Sequence, residues 1–172
     1  MKRIIFLLTI TIFSLTSKAQ NMKEVTTRIN ELEDRIAIKN LVDTFSVLAD
    51  VKDIKTQVLL FTENATVTSI VNGMPPMTLT GRKQLFDVFT GYLNLFETVY
   101  HLNGQQTVTL NGDKATGTSY CYVTLIGTEN GKKMSTTSGV YYEDEYVKQN
   151  GHWLIAKRTS HFAFQEKREF GK

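Results

Sequence analysis

Two residues of this sequence carry side chains suited to proton transfer. Asp50 lies where the pattern of a long helix ends, and its carboxylate could orient a histidine or act as a base if burial raises its pKa. His101 lies in a predicted strand, where an imidazole could remove a proton beside a carbonyl group and return it to a leaving hydroxyl. The alternatives are a solvated aspartate in a turn and a histidine hydrogen-bonded within a polar sheet face.

Tyr100, Tyr120 or Tyr122 could supply the hydrogen-bond donor that such chemistry needs. A two-residue turn at Asn111-Gly112 would pair Tyr122 with His101 across two strands and place Tyr120 two residues along on the same face. A hydroxyl there could donate to a substrate carbonyl. A register slip of one residue would turn both tyrosines to the opposite face.

The last predicted strand adds Arg158 and His161 as candidate substrate-binding residues. They differ in parity, so only one of them is expected to face a shared cavity. No metal site is expected, because the histidines lack ligand spacing and Cys121 is the only cysteine. Cys121 lies in an apolar strand pattern and is expected to be a small buried residue rather than a reactive thiol.

The helices that would position these groups follow from the hydrophobic pattern. Steps of three and four residues predict a long helix over about 26–49, Asp53 could cap a short helix ending near residue 60, and Thr80 could cap a third helix ending near residue 95. The apolar positions of the first helix are Ile29, Leu32, Ile36, Leu41, Val42, Phe45, Leu48 and Ala49.

The remainder of the chain alternates with a period of two. Strands are predicted over 65–71, 98–110, 114–127, 133–149 and 152–164. Asn-Gly pairs begin at residues 111, 130 and 150, which predicts three successive hairpins and an antiparallel meander. The strands are long enough to require strong curvature or a bulge. Helices followed by a meander predict an α+β fold in which the sheet packs on the helices.

The chain has 172 residues, enough for one domain. Residues 1–19 combine a basic start, an apolar stretch and a small-residue cleavage site, which predicts a secretory signal peptide, with a retained anchor as the alternative. Residues 20–172 would then form a single exported domain, periplasmic or secreted. Removing the first 19 residues leaves 17 basic against 17 acidic residues, so neither a nucleic-acid surface nor stable membrane insertion is expected.

Several motifs resemble SnoaL-like proteins of the nuclear transport factor 2-like superfamily, and their order covers nearly all of the predicted mature chain. The stretch 34–42 resembles the opening helix of that family, and 50–53 with 60–65 resembles its second helix and first strand. The other matching stretches are 80–82, 142–146, 150–151 and 153–155. The resemblance implies a cone in which a curved sheet wraps three helices, together with frequent dimers.

The resemblance also bears on the site. Enzymatic members include dehydratases and polyketide cyclases that use neither metal nor organic cofactor, and Asp50, His101 and Arg158 lie where related dehydratases carry an aspartate, a histidine and an arginine. Those enzymes place a tyrosine five residues before the aspartate, where this chain has Phe45, which has no donor. The catalytic prediction is therefore Asp50 with His101 and Tyr122, and Phe45, Tyr120, Arg158 and His161 are predicted to contact the substrate.

Three functions remain open on the sequence. The first is a cofactor-free lyase or isomerase that acts on a small apolar or cyclic molecule. The second is a non-catalytic binding protein that uses the same pocket, which the phenylalanine at position 45 favours. The third is an interaction module that dimerises through the outer sheet face. A homodimer is expected from the resemblance.

Overall fold

A computed structural model describes the backbone of residues 2–171 and the side chains of residues 20–171. The predicted signal peptide lies outside the residues whose side chains are described and stays a prediction. In chain order the elements are α1 (Lys2–Asp50), α2 (Ile54–Gln57), a 3₁₀ turn (Val58–Leu60), β1 (Phe61–Val71), β2 (Met77–Thr80), α3 (Gly81–Leu93), β3 (Thr98–Asn111), β4 (Lys114–Glu129), β5 (Lys132–Gln149) and β6 (His152–Glu169).

The chain divides into two compact units, Met1–Ile36 and Ala37–Lys172. The first contains only helix α1, which begins well before the predicted start near residue 26. The buried face of that helix was predicted wrongly, because Ile29, Leu32 and Ile36 are each about half exposed. The prediction is right for Leu41, Val42, Phe45 and Ala49, which the second unit buries together with Ile38.

The second unit contains a six-stranded sheet in the order β2-β1-β6-β5-β4-β3. Strands β3 to β6 form the predicted antiparallel meander, and β1 joins β6 in parallel. The sheet is curved and unclosed, and it packs with the helices, which confirms the α+β prediction. Strand β2 was not predicted, because the two prolines before it had been interpreted only as a turn; it pairs with the edge of β1.

The hairpin turns follow the predicted chemistry at two of three places. Asn130-Gly131 and Asn150-Gly151 both have positive φ angles, as a two-residue turn of type I′ requires, and the flanking residues pair directly. At the first hairpin Asn111 pairs with Lys114, so the turn consists of Gly112-Asp113 and lies one residue later than predicted.

Strand β3 contains a β-bulge that decides which side chains share a face. Asn103 pairs with Cys121 and Gln106 pairs with Ser119, so Gly104 and Gln105 together oppose the single residue Tyr120. The extra residue shifts the pairing of the strand by one between its two halves. Because side chains alternate along a strand, the bulge reverses the face expected for every residue on one side of it.

The two short helices begin at their predicted caps. Asp53 accepts a hydrogen bond from the backbone N–H of Thr56 at 3.1 Å, which is the predicted N-cap of α2. Thr80 occupies the N-cap position of α3 without a side-chain capping bond; instead its backbone N–H donates to Gln84 at 2.7 Å. This bond satisfies one of the backbone donors left free at the start of α3.

The core of the second unit lies between the helices and the inner face of the sheet. Its sheet-side members include Ala65, Val67, Val99, Ala115, Cys121, Val123, Leu125, Val140, Tyr142, Tyr146, Trp153 and Ile155. Within the described part of the chain, no helix combines the length and apolar character that a membrane span needs.

Gly117 of β4 is a site where the sheet requires a glycine. A Cβ atom at this position would lie 2.6 Å from the backbone oxygen of Thr107 on β3, and a backbone atom cannot move aside as a flexible side chain would. We expect Gly117→Ala to lower the free energy of unfolding by about 1–3 kcal/mol, the usual cost of overpacking.

Gly91, inside α3, is the matched control, since nothing lies within 4 Å of its added Cβ. Gly91→Ala should raise stability by about 0.5–1 kcal/mol through helix propensity. Urea unfolding of both variants measures the difference, and equal effects of the two substitutions would contradict the close approach of β3 and β4.

Candidate active site

Asp50 and His101 meet where helix α1 ends against strand β3. Oδ1 of Asp50 lies 2.7 Å from Nδ1 of His101, and Oδ2 accepts the backbone N–H of His101 at 3.3 Å. The imidazole is 8% exposed and the carboxylate side chain is 26% exposed. The two groups are therefore held by a two-point contact, with the carboxylate closer to solvent than the imidazole.

The geometry assigns the proton positions of the pair. An ionised carboxylate only accepts hydrogen bonds, so Nδ1 of His101 carries the proton directed at Asp50. In the neutral ring Nε2 then keeps its lone pair, which is the form that can accept a proton. Asp50 thus fixes both the orientation and the tautomer of the ring.

The placement of Asp50 is costly for the helix. It is the last residue of α1, where unsatisfied carbonyl groups give the helix a partial negative charge and an acidic side chain is disfavoured by about 0.3–1 kcal/mol. No basic residue lies in the last turn to offset it. The bond to His101 is the compensating interaction that the structure provides.

Burial lowers the pKa of His101 below its ordinary value of 6.5, Asp50 opposes that change, and the positive charge of Arg158 adds to it. The ring is therefore neutral at pH 7. In the unfolded chain a histidine titrates near 6.5, so below that pH the unfolded state binds a proton that the folded state does not. The free energy of unfolding should consequently fall as the pH falls below about 6.5.

Thermal unfolding between pH 7.5 and 5 measures this effect. We expect His101→Gln to remove part of the loss of stability on acidification, because glutamine does not titrate. An unchanged pH dependence in that variant would show that the ring is not held in its neutral form.

Arg158, whose positive charge acts on His101, is almost completely buried. Its guanidinium donates through Nε and Nη2 to the two carboxylate oxygens of Asp144, at 2.8 and 2.7 Å. The rings of Phe45 and Tyr142 lie 4.4 and 4.2 Å from its central carbon. Nη1 is buried and makes no hydrogen bond to any described residue. Arg158 therefore retains an unused donor on a permanent positive charge.

Phe45 belongs to an aromatic cluster rather than to an open cavity wall. Its ring makes edge contacts with Phe61, Phe89 and Tyr142 at centroid distances of 5.8 to 6.3 Å, and it covers Arg158. The phenylalanine thus supports a buried cation where the related dehydratases are expected to present a hydroxyl. A charged donor, Arg158, lies against the face of this ring.

A polar network that sequence reasoning missed lies beside the pair. Ser46 donates to the side-chain oxygen of Asn103 at 2.9 Å, and the Asn103 amide nitrogen donates to Asp43 at 2.9 Å. Asp43, Ser46 and Asp50 recur every three or four residues along α1, which places them on one helix face. That spacing, together with the shared parity of Asn103 and His101 on β3, could have indicated this network from the sequence.

The predicted pairing of Tyr122 with His101 is wrong. His101 pairs with Val123, and Tyr122 pairs with Leu102 on the opposite face of the sheet, where it is about half exposed. Tyr120 lies on that same outer face. The cause is the bulge in β3, which changes the pairing by one residue. The structure does not bring either tyrosine to His101.

His161 also lies on the outer face, as its parity relative to Arg158 predicts. Its ring stacks on Tyr141 with centroids 4.4 Å apart, and Nε2 lies 2.7 Å from a carboxylate oxygen of Glu143. Of the predicted substrate-contacting residues on the sheet, only Arg158 therefore lies on the inner face with His101, and Phe45 packs against Arg158 from helix α1.

Depressions on the described part of the sheet include one of about 420 Å³ beside the bulge, bordered by Leu102, Tyr120, Tyr122 and Phe164. Another, of about 340 Å³, is lined by threonines with Glu143, Glu145 and Lys157. Neither of these two is lined by Asp50 or His101.

Metal and thiol chemistry find no support among the described side chains. No group of three or more His, Cys, Asp or Glu residues within residues 20–171 could hold a metal ion. Cys121 is buried, and burial raises the pKa of its thiol to about 11. The thiol is therefore protonated and inert at neutral pH, as its apolar strand pattern predicts.

Solved structures with this architecture come from several proteins of low sequence identity. A candidate scytalone dehydratase from Novosphingobium aromaticivorans matches with a TM-score of 0.71 and 19% identity over 83% of this chain and 96% of that chain. A candidate aromatic ring hydroxylase from the same organism gives 0.71 and 23% over 80% and 94%. Hexachlorocyclohexane dehydrochlorinase LinA-type3 from Novosphingobium barchaimii LL02 gives 0.69 and 16% over 84% and 95%.

These identities establish a shared fold and no shared activity. No curated protein matches the sequence significantly. The SnoaL-like domain matches residues 30–159, which span three quarters of the chain and include Asp50, His101, Asp144 and Arg158. The resemblance noted in the sequence is thereby confirmed, and this chain belongs to the SnoaL-like domain family.

Proposed function

We propose that this protein is a cofactor-independent lyase or isomerase that acts on a small, apolar, cyclic molecule, with His101 as the proton-transferring group. The observation that carries the proposal is the 2.7 Å contact between Asp50 and His101, which leaves Nε2 of a neutral, buried imidazole as the available base. Structural neighbours named as a dehydratase and a dehydrochlorinase support elimination as the reaction class.

The elimination would proceed as follows. Nε2 of His101 removes a proton from the carbon beside a carbonyl group, and the electrons of that C–H bond move toward the carbonyl oxygen. Arg158 offers its unused Nη1 donor and its charge to that oxygen. It takes the place of a tyrosine hydroxyl, because residue 45 of this chain is a phenylalanine. Collapse of the enolate forms the C=C bond and breaks the C–O bond, and the imidazolium returns its proton to the leaving hydroxyl, giving water.

Isomerisation uses the same first step. The proton removed from one carbon returns to a different carbon of the enolate, so no group leaves. Asp50 stabilises the imidazolium in both reactions, because its carboxylate already contacts Nδ1.

A non-catalytic binding protein is the second candidate, and the aromatic cluster around Phe45 favours it. Phe45, Phe61, Phe89 and Tyr142 offer apolar surface without a reactive group, and two of these rings already enclose Arg158. Such a protein would retain an apolar ligand without changing it.

Ligand identification separates the two candidates. Mass spectrometry of organic molecules that co-purify with the native protein gives the ligand class, and incubation of the protein with that ligand, followed by product analysis, detects turnover. A ligand converted to a product one water lighter, or to an isomer of equal mass, supports the enzyme. A ligand recovered unchanged with undiminished affinity supports the binding protein.

We also propose export to the periplasm or the medium and a homodimer formed through the outer sheet face. The first rests on the targeting pattern of residues 1–19. The second rests on exposed Tyr100, Leu102, Tyr120, Tyr122 and Phe164, a set of large apolar side chains on one face. N-terminal sequencing of the processed protein and the dimer dissociation constant of Tyr122→Lys test the two statements separately.

A further inference from the structure

Helix α1 carries a stripe of exposed apolar side chains in the first unit of the chain. Met22, Val25, Ile29, Leu32 and Ile36 are 43–65% exposed, and they follow one another at steps of three, four, three and four residues. This alternation is the heptad repeat of a coiled coil, in which the apolar positions a and d form one seam. A helix with an uncovered seam of this kind lacks its partner.

The residue types at the seam select a pairing mode. With Met22 at position a, the a positions are Met22, Ile29 and Ile36, and the d positions are Val25 and Leu32. A β-branched residue at a with leucine at d favours two parallel strands over three or four. The central layers, Ile29 and Leu32, have this combination.

The flanking charges agree with a parallel pair of identical helices. In this heptad Arg28 occupies position g and Glu33 occupies position e. In a parallel dimer the g residue of one helix lies beside the following e residue of its partner, which is five positions later. Arg28 of each copy would therefore meet Glu33 of the other, and a dimer would contain two such ion pairs.

The same charges argue against a membrane surface as the partner of this apolar stripe. Residues 22–36 contain three basic side chains and four acidic ones, whereas helices that lie on anionic lipid have a polar face rich in lysine and arginine. The stripe is also narrow, as a two-stranded seam requires, rather than broad.

We propose that residues 22–36 pair in parallel with the same residues of a second copy of this chain. The pairing is separate from the proposed chemistry at His101 and from the proposed sheet-face dimer. Because the seam has only two heptads, the association is concentration-dependent and weak.

Disulfide cross-linking tests the register directly. Val25→Cys places a thiol at a d position, where the two copies of a parallel coiled coil approach within disulfide distance, and Thr27→Cys places one on the far side of the helix as the control. The native Cys121 does not compete, because it is buried and its thiol pKa is raised to about 11. In the full chain, as naturally processed, Val25→Cys should form a covalent dimer under mild oxidation and Thr27→Cys should not.

Sedimentation equilibrium gives the second readout. In a Tyr122→Lys background, which removes the proposed sheet-face dimer, Ile29→Lys should raise the dimer dissociation constant by about tenfold or more by burying a charge at the seam, and Asn30→Lys, which adds the same charge outside the seam, should leave it unchanged. Glu33→Arg should weaken the dimer about threefold, and Arg28→Glu combined with Glu33→Arg should restore it. All these positions are exposed, so circular dichroism should show unchanged folding.

Each other outcome overturns the proposal. A protein that stays monomeric at about 1 mM, or a dimer insensitive to Ile29→Lys but disrupted by Tyr122→Lys, would show that the seam is not the interface. Equal cross-linking of Val25→Cys and Thr27→Cys would exclude this register. A monomer that binds anionic phosphatidylglycerol vesicles, and loses that binding with Ile29→Lys, would assign the stripe to a lipid surface instead.

Discussion

Asp144→Ala should lower the free energy of unfolding by about 3–5 kcal/mol, because it leaves the guanidinium of Arg158 buried without its counter-ion. Asp144 accepts two hydrogen bonds from Arg158 and a third from the hydroxyl of Tyr146 at 2.8 Å, and both members of the ion pair are almost completely buried. For a domain of this size the loss corresponds to a fall in Tm of about 10 °C, measurable by calorimetry.

The neighbouring pair on the opposite face supplies the control. Lys157 and Glu145 lie one residue from Arg158 and Asp144 on the same two strands, 3.0 Å apart, and both are about half exposed. Glu145→Ala should therefore cost no more than about 0.5 kcal/mol. Similar losses for the two variants would mean that the Arg158 pair is solvated.

A double substitution separates the cost of an unpaired charge from the value of the pair. Replacing Arg158 and Asp144 together with leucine removes both buried charges, so this variant should be more stable than Asp144→Ala. A double variant less stable than the single one would show that the ion pair itself contributes the stability.

His101→Ala should reduce kcat by about 10²–10⁴ on the substrate identified from the native protein, because it removes the base that the proposed elimination requires. The side chain lies in a nearly solvent-free position with its remaining nitrogen free to accept a proton. Substrate affinity should change much less than kcat, since the apolar cluster around Phe45 remains. Steady-state kinetics with a matched binding measurement distinguish the two parameters.

Two further variants test whether the loss of activity is specific to the Asp50–His101 pair. Asp50→Asn keeps the shape of the carboxylate but not its charge, so it should lower kcat while leaving the fold intact. His152→Ala removes an exposed histidine at the start of β6 and should leave kcat unchanged. Undiminished turnover by His101→Ala would eliminate the imidazole as the base and favour the binding protein.

The sequence was informative wherever local chemistry decides structure. The helix caps, two Asn-Gly turns and the alternation of the meander depend on residues close together in the chain, and all of them lie where they were predicted. The approach of Asp50 to His101 was also expected, chiefly from the resemblance, because the two residues lie where related dehydratases carry an aspartate and a histidine.

The failures have a common physical cause, which is that pairing across the sheet depends on distant residues. The one-residue displacement of the first turn alone would have kept Tyr122 on the face of His101, because moving a turn by one residue shifts the pairing by two. The bulge at Gly104 and Gln105 shifts it back by one, so that the net displacement is one residue and the face is reversed. A single extra residue in a strand does not produce a hydrophobic pattern from which the bulge could be predicted.

The exposed stripe of α1 was misjudged for a related reason. Apolar residues at helical spacing indicate that a face needs cover, but the pattern does not say whether the cover comes from the same chain. Ile29, Leu32 and Ile36 have the spacing of core residues and are about half exposed in the described part of the chain. The spacing alone therefore does not separate the core of a domain from a helix face that another molecule could cover.

The bulge in β3 also constrains how the length of this chain can change. Deleting either Gly104 or Gln105 would remove the extra residue and leave the pairings of both halves of β3 as they are, with His101 still opposite Val123. A deletion within 106–110 would instead keep the bulge and move the segment 98–103 by one residue along β4, so that His101 would point outward. Natural changes of length that preserve the site should therefore fall at the two-residue step itself or at the hairpin tips.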